Sequence, residues 1–292
     1  MHSLTQSTIA RRPGYARRLA SAVANGLALT ILLTAPPALA LSAEEAYARM
    51  NAALTPERTV LSRAYLAVWL EEEQTQVYEA LVARKGFGKQ ARTTVIILEP
   101  EFVAGVRTLW GTRRADGTPV EAVYRPLDQR VTEIAPVMPD DPLLGSNFTR
   151  ADLGFVTRGE LELRLVGERK LNLNDTLVVE AKPQDSWYYS RILTWIDTRT
   201  WLPVKREYYD RAGRLWKRAE YQGTVFEGTP VVIRITMEDL QSLTRSELVM
   251  SQVRFGDAKD DVLFDRAYLE RAKAHLLEAL ASPDAQGTAG QP

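Results

Sequence analysis

The stretch "SRILTWIDTRTWLPVKREYYD", from Ser190 to Asp210, sets the fold class of this protein. It is rich in aromatic and β-branched residues, and apolar and polar residues alternate along both of its halves. Such a pattern is typical of β-strands. The segment "TRTW" in the middle interrupts the alternation. The stretch therefore predicts two antiparallel strands joined by a turn.

The same alternation continues through most of the chain from Tyr65 onward. The segment "ARTTVIILEP" predicts a strand that ends at Pro100, and Asp116-Gly117 predicts the turn of a hairpin. We predict one mainly β domain of about ten strands, with a helix at each end.

Three segments have the patterns of helices and not of strands. One lies at each end of the domain, and one lies between strands. Ser42 can cap a helix in "SAEEAYARM". Thr149 and Asp152 have the spacing of a capping box for a single helical turn, which Gly154 would close. The segment "FDRAYLERAKAHLLEAL" predicts a closing helix. Its apolar residues share one side: Tyr268, Leu269, Ala272, Leu276 and Leu280.

Residues 1–40 have the composition of an export signal. They contain four arginines and no acidic residue, followed by an apolar run and the small-x-small sequence Ala38-Leu39-Ala40. We predict a signal peptide over 1–40 that is cleaved after Ala40, a folded domain over 41–282 and a disordered tail over 283–292. The alternative is an uncleaved membrane anchor, since the apolar run is close to the minimum spanning length.

Composition excludes several classes of protein. The chain has 37 basic and 37 acidic residues, and removal of the four arginines in residues 1–40 leaves a net charge of −4, which argues against nucleic-acid binding. The chain has no cysteine, so its stability must come from a core and not from disulfides.

Catalytic chemistry has few candidates. The two histidines are His2 and His275, and there is no nucleotide-binding or nucleophile-elbow motif. We therefore predict no metal, no cofactor and no enzymatic activity. A carboxylate-based hydrolase is the alternative. Its candidate pairs are Asp140-Asp141, Glu238-Asp239 and Asp260-Asp261, although each pair lies beside turn residues and solvated loop charge is the better explanation.

Several strands are apolar on both faces. In the segment from Trp187 to Asp197, for example, Leu193 and Trp195 share one face while Ile192 and Ile196 share the other. A sheet with a core on only one side would alternate more cleanly. Two explanations stay open, namely a sheet with scattered outer aromatics and a curved sheet whose concave face holds an apolar ligand.

Three motifs in order resemble those of the LolA-like, outer-membrane lipoprotein-sorting family of periplasmic proteins. They are "TTVIILEPEFVAGVRTLW", "YRPLDQRVTEIAP" with "LLGSNFTRADLGF", and "YYSRILTWIDTRTWLPVKREYYDRAGRLWKRAEY". The resemblance covers roughly 65–269. It implies a mainly β fold with flanking helices: a half-open antiparallel β-barrel with helices covering its concave face.

The resemblance also implies a function. It suggests a periplasmic, monomeric carrier that shuttles a lipid or an acylated protein between envelope membranes. The candidate membrane partner is an inner-membrane lipid exporter. A non-transporting sensor or accessory module of the same fold is the alternative. Candidate lining residues for the cavity are Val68, Leu70, Ile97, Met138, Phe148, Leu193, Trp195, Ile235 and Met237. Candidates for contact with a headgroup or partner are Arg125, Arg130 and Arg191.

Overall fold

The computed structural model describes residues 41–55, 58–86, 91–113, 116–135, 138, 140–154, 160–184 and 187–281. The predicted signal peptide and the tail lie outside these residues. The helices are α1 (Ala43–Ala53) and α2 (Ala272–Ala281). The strands are β1 (Val60–Leu70), β2 (Glu73–Lys85), β3 (Arg92–Glu99), β4 (Arg107–Arg113), β5 (Pro119–Arg125), β6 (Arg130–Ile134), β7 (Leu161–Leu171), β8 (Asn174–Pro183), β9 (Arg191–Asp197), β10 (Pro203–Tyr209), β11 (Leu215–Phe226), β12 (Thr229–Asp239) and β13 (Thr244–Phe255).

All thirteen strands form one antiparallel sheet that is not closed. Its order is β6-β5-β4-β3-β2-β1-β13-β12-β11-β10-β9-β8-β7. Each strand pairs only with its neighbours in sequence, with one exception. The first strand, β1, also pairs with the last strand, β13, so the two ends of the chain of strands meet in the middle of the sheet. The mainly β prediction is confirmed, and the expected ten strands become thirteen.

The opening stretch folds as the predicted hairpin of β9 and β10. Asp197 terminates β9, and its Oδ1 accepts hydrogen bonds from the backbone N–H of Arg199 at 2.7 Å and of Thr200 at 3.0 Å. Trp201 then takes a positive φ of 59° before β10 begins. Asp side chains favour such turns because they satisfy nearby backbone donors. A local capping interaction therefore fixes the register of this hairpin.

Helix α1 agrees with the prediction, whereas helix α2 departs from it in length. Helix α1 begins as predicted, with Ser42 Oγ accepting from Glu45 N at 3.1 Å. Helix α2 is shorter than predicted, because Ala258–Phe264 and Arg266–Tyr268 form 3-10 turns before it. The predicted apolar stripe is nevertheless confirmed, since Leu269, Ala272, Leu276 and Leu280 are all buried.

Helical segments pack on both faces of the sheet. Helix α2 and the 3-10 turns cover one face of β1–β5, where they contact alternate strand residues: Leu61, Leu81, Ala83, Ile96, Leu109 and Ala122. The residues between these positions border a cavity on the other face. Helix α1 packs on that cavity face against Leu177, Val179 and Ile196 of β8 and β9. The expectation that the flanking helices cover the cavity side is therefore wrong for α2.

A substitution in α2 tests this packing. Leu276 is fully buried under the sheet, whereas its neighbour Leu277 is 44% exposed. We expect Leu276→Ala to lower the free energy of unfolding by about 2–5 kcal/mol, because it leaves a cavity in a close-packed layer. Leu277→Ala should change it by less than about 0.5 kcal/mol. Urea unfolding measures both, and equal effects would contradict the assigned helix face.

Candidate functional site

The central feature of the cavity face is a mainly apolar cavity of about 540 Å³. This volume lies within the roughly 300–1,000 Å³ typical of ligand pockets. Strands β1 to β5 and β11 to β13 supply most of its wall, together with the end of α1 and the segment from Asp141 to Gly154. Apolar lining residues include Ala64, Leu66, Ala80, Val82, Val95, Ile97, Val123, Val231, Ile235, Leu248 and Met250.

The segment 140–154 forms a wall of the cavity and is fastened to the sheet. Asn147 Nδ2 donates to the backbone oxygen of Thr244 at 2.9 Å, and the backbone N–H of Asn147 donates to Ser246 Oγ at 2.9 Å. Phe148 is fully buried among aromatic and aliphatic side chains of the sheet. Polar contacts and one deeply packed ring therefore hold Leu143, Leu144 and Leu153 against the cavity.

The predicted capping box closes this segment. The backbone N–H of Thr149 donates to Asp152 Oδ2 at 2.9 Å, and that of Asp152 donates to Thr149 Oγ1 at 3.1 Å. Tyr189 donates its hydroxyl to Asp152 at 3.1 Å, and Lys217 donates to the backbone oxygen of Asn147 at 2.8 Å. Burial raises the pKa of Asp152 and lowers that of Lys217, although each charge partly offsets the shift of the other.

The raised pKa of Asp152 predicts a pH dependence. Between its unfolded value, about 3.9, and its higher folded value, the folded state binds more protons, so stability falls as the pH rises through that window. Asp152→Asn removes this contribution. We therefore expect the stability of the variant, relative to wild type, to increase from pH 4 upward. Urea unfolding across pH 4 to 8 measures this difference, and a constant difference would refute the assignment.

Three arginines also border the cavity. Arg150 forms a buried ion pair with Glu121, and its guanidinium lies 4.4 Å from the ring centre of Trp110. Burial lowers the pKa of Arg84 to about 10, which leaves it charged at neutral pH. The third, Arg206, extends from β10 toward α1 and touches Met50 Sδ at 3.7 Å. The mainly apolar cavity therefore has three guanidinium groups on its border, together with the carboxyl groups of Glu121, Asp141 and Asp152.

The structure separates the predicted lining residues into groups. Ile97 and Ile235 line the cavity. Val68 lies beyond the segment 140–154, in a second depression that it shares with Trp216 and Lys217. Phe148 and Met237 are fully buried in the packing between that segment and the sheet. Their role is to support the cavity wall.

Four other candidates lie outside the cavity. Leu70 and Met138 are exposed to solvent, at 53% and 55%. Leu193 and Trp195 lie on the opposite face of β9, where Trp195 stacks under Lys205 at 4.5 Å and Leu193 faces Glu180 and Glu207 across the strands. The alternation in this segment predicted two faces correctly, but the face chosen for the cavity was the wrong one.

The three candidate arginines are also outside the cavity. Arg125 and Arg130 are exposed cross-strand neighbours at the tip of the β5–β6 hairpin. Arg191 stacks on Tyr209 at 4.0 Å and lies 3.8 Å from Glu180 on the outer face. Arg206 was missed. A hint lies in "LPVKREYYD", since Lys205 and Glu207 share one face and leave Arg206 on the other without an acidic neighbour.

The remaining candidates for chemistry take part in structural contacts. His275 Nε2 lies 2.8 Å from the buried Asp260, and its Nδ1 lies 3.0 Å from the Tyr268 hydroxyl, all beside α2 on the outer face. Asp261 binds Lys85 at 2.7 Å, and Asp239 accepts from Trp216 Nε1 at 2.9 Å. Within the described ranges, no cluster of His, Cys, Asp and Glu side chains has the makeup of a metal site.

The helices of the described part of the chain are all too short or too polar to span a bilayer.

The fold is similar to those of several solved structures. Among solved structures, a DUF1329 family protein from Desulfovibrio piger matches with a TM-score of 0.64 and 19% identity, over 79% of this chain and 100% of that one. An outer membrane lipoprotein-sorting protein domain from Vibrio parahaemolyticus matches with a TM-score of 0.63 and 23% identity, over 78% and 97%. A LolA superfamily protein from Nitrosomonas europaea matches with a TM-score of 0.60 and 23% identity, over 79% and 100%.

Sequence comparison defines the family. A search of curated proteins found no match. A family model described as "-like: Uncharacterized protein" matches residues 89–271, more than half of the chain. The chain therefore belongs to the family that this model describes, and its fold is similar to those of the LolA superfamily and outer membrane lipoprotein-sorting proteins.

Proposed function

We propose that this protein carries the acyl chains of a lipid or of an acylated protein in its cavity and moves them between the membranes of the envelope. The observation that carries this proposal is the mainly apolar cavity of about 540 Å³ between the sheet and the segment 140–154. The likeness to lipoprotein-sorting proteins supports it at the level of the fold.

The energetics fit a carrier. Each methylene removed from water stabilises a complex by about 0.8 kcal/mol, so ten buried methylenes contribute about 8 kcal/mol before the costs of binding. Because association itself costs at least about 4 kcal/mol, roughly fifteen buried methylenes leave a net gain of about 8 kcal/mol, which corresponds to a dissociation constant near 1 μM. Such an affinity holds a water-insoluble chain and still allows its transfer to an acceptor. In this proposal the protein acts in the periplasm as a monomer, without catalysis, and takes its cargo from an inner-membrane transporter.

Native mass spectrometry of the protein purified from its native envelope tests the proposal. We expect adducts with the masses of acyl-bearing lipids or acylated peptides, and transfer of a fluorescent lipid between donor and acceptor vesicles when the protein is added. Protein that is ligand-free and binds no fluorescent fatty acid would refute acyl-chain binding. Bound lipid without transfer, together with a stable membrane complex insensitive to added lipid, would instead support an accessory module.

A further inference from the structure

Among the described residues, Arg206 forms no ion pair with a carboxylate. Its cross-strand neighbours are Thr194 on β9 and Ala219 on β11. The flanking Lys205 and Glu207 point to the opposite face of the sheet, where they pair with each other at 2.6 Å. Within the described residues, no carboxylate lies within 4.0 Å of the Arg206 guanidinium. The strand alternation therefore separates this cation from the nearest acid.

The groups around Arg206 are neutral. Tyr47 of α1, Tyr208 and Tyr221 surround it, with the Tyr221 ring centre 5.5 Å from the guanidinium carbon. Burial raises the pKa of Tyr47 and of Tyr208 above the ordinary value, so both phenols stay protonated at neutral pH. The Nε atom of Arg206 is buried and, among the described residues, has no hydrogen-bond partner.

A buried cation in this condition is unfavourable for the empty protein. Removing a guanidinium from water without a compensating anion has a large desolvation cost, and an unpaired buried N–H adds to it. The hydrogen bond with the Tyr208 side chain, the Tyr221 ring and the contact with Met50 Sδ are all interactions with neutral groups, so none of them supplies a countercharge. A ligand that brings its own negative charge would supply the missing partner, since a guanidinium binds carboxylate or phosphate through parallel hydrogen bonds.

We propose that Arg206 binds the anionic head of an amphiphile, a carboxylate or phosphate, whose acyl chain fills the apolar cavity. This inference rests on the proposed carrier function and makes it more specific. Tyr221 also borders the cavity, and its hydroxyl, which lies 3.4 Å from that of Tyr208, is placed to hydrogen-bond the same head. The ligand is then a fatty acid or an acidic lipid and not a neutral acyl ester.

A matched pair of probes tests this assignment. Binding of cis-parinaric acid and of its methyl ester is measured by fluorescence with the purified full chain. Wild-type protein should bind the acid at least tenfold more tightly than the ester. Arg206→Gln should weaken the acid at least tenfold and change the ester less than threefold. Arg234→Gln is the control, because Arg234 pairs with Glu247 and does not line the cavity.

Further measurements separate the outcomes. Dodecyl phosphate should displace cis-parinaric acid, whereas inorganic phosphate and acetate should not. Displacement by the small anions would overturn the amphiphile assignment. Equal binding of acid and ester, unaffected by Arg206→Gln, would overturn the role of Arg206 and leave the carrier proposal standing. Failure of wild type to bind either probe would count against the carrier proposal itself. A melting temperature of the ligand-free Arg206→Gln protein well below that of wild type would indicate a structural role instead.

Discussion

Replacement of Ile97 by aspartate is expected to abolish acyl-chain binding. Ile97 lies on β3 with its side chain on the cavity wall, and it is almost completely buried. A carboxylate there places a charge against the bound chain in an environment where ionised groups are strongly unfavourable. We expect the dissociation constant for a fluorescent fatty acid to rise at least a hundredfold.

Leu193→Asp is the matched control, because Leu193 lies on the outer face of β9. We expect its affinity to stay within twofold of wild type. Since a buried carboxylate at position 97 also destabilises the fold, Ala80→Phe supplies an independent test. Ala80 borders the cavity, and a phenyl ring there would occupy part of the space for the chain without adding charge. Normal binding by a folded Ala80→Phe protein, or loss of binding in Leu193→Asp, would show that the chain binds elsewhere.

Phe148→Ala is expected to produce the largest loss of stability. Phe148 is fully buried where the segment 140–154 meets the sheet, and it packs in the same cluster as Leu153 and Tyr189. Truncation of a buried phenylalanine typically costs about 3–5 kcal/mol. Since this ring anchors a wall of the cavity, we also expect a bound fluorescent fatty acid to dissociate at least tenfold faster.

Phe102→Ala is the matched control, since Phe102 is 82% exposed. It should leave the free energy of unfolding within about 0.5 kcal/mol of wild type. Chemical denaturation and stopped-flow displacement measure the two effects. A Phe148→Ala protein with wild-type stability would show that the segment 140–154 is held by Asn147 and Asp152 alone.

Local signals in the sequence predicted local structure well. The turn at "TRTW", the Ser42 cap and the reciprocal bonds of Thr149 and Asp152 were all visible as short motifs, and the structure contains each of them. Such interactions involve residues at most four positions apart, so their outcome depends little on the rest of the chain.

The cavity residues were predictable only in part. Ile97 and Ile235 were identified, but Leu193 and Trp195 were assigned to the wrong face. The reason is that strands of this sheet bury apolar side chains on both sides. On β1 to β5 the outer face packs against α2 and the 3-10 turns, so apolar residues such as Leu81 and Ile96 occupy it as well. Apolarity by itself therefore could not distinguish the ligand side from the helix side.

The sequence alone determined the fold class, the position of the hairpin turn and the scarcity of catalytic groups, because alternation, turn residues and composition are properties of the chain itself. Only the tertiary structure decided which face encloses the cavity and that Arg206 lies there without an acidic partner among the described residues. Both depend on contacts between residues far apart in sequence: α2 covers one face of the early strands, and α1 covers the other face of the late ones. Burial of charge and of apolar surface is a property of that arrangement, and no single segment contains it.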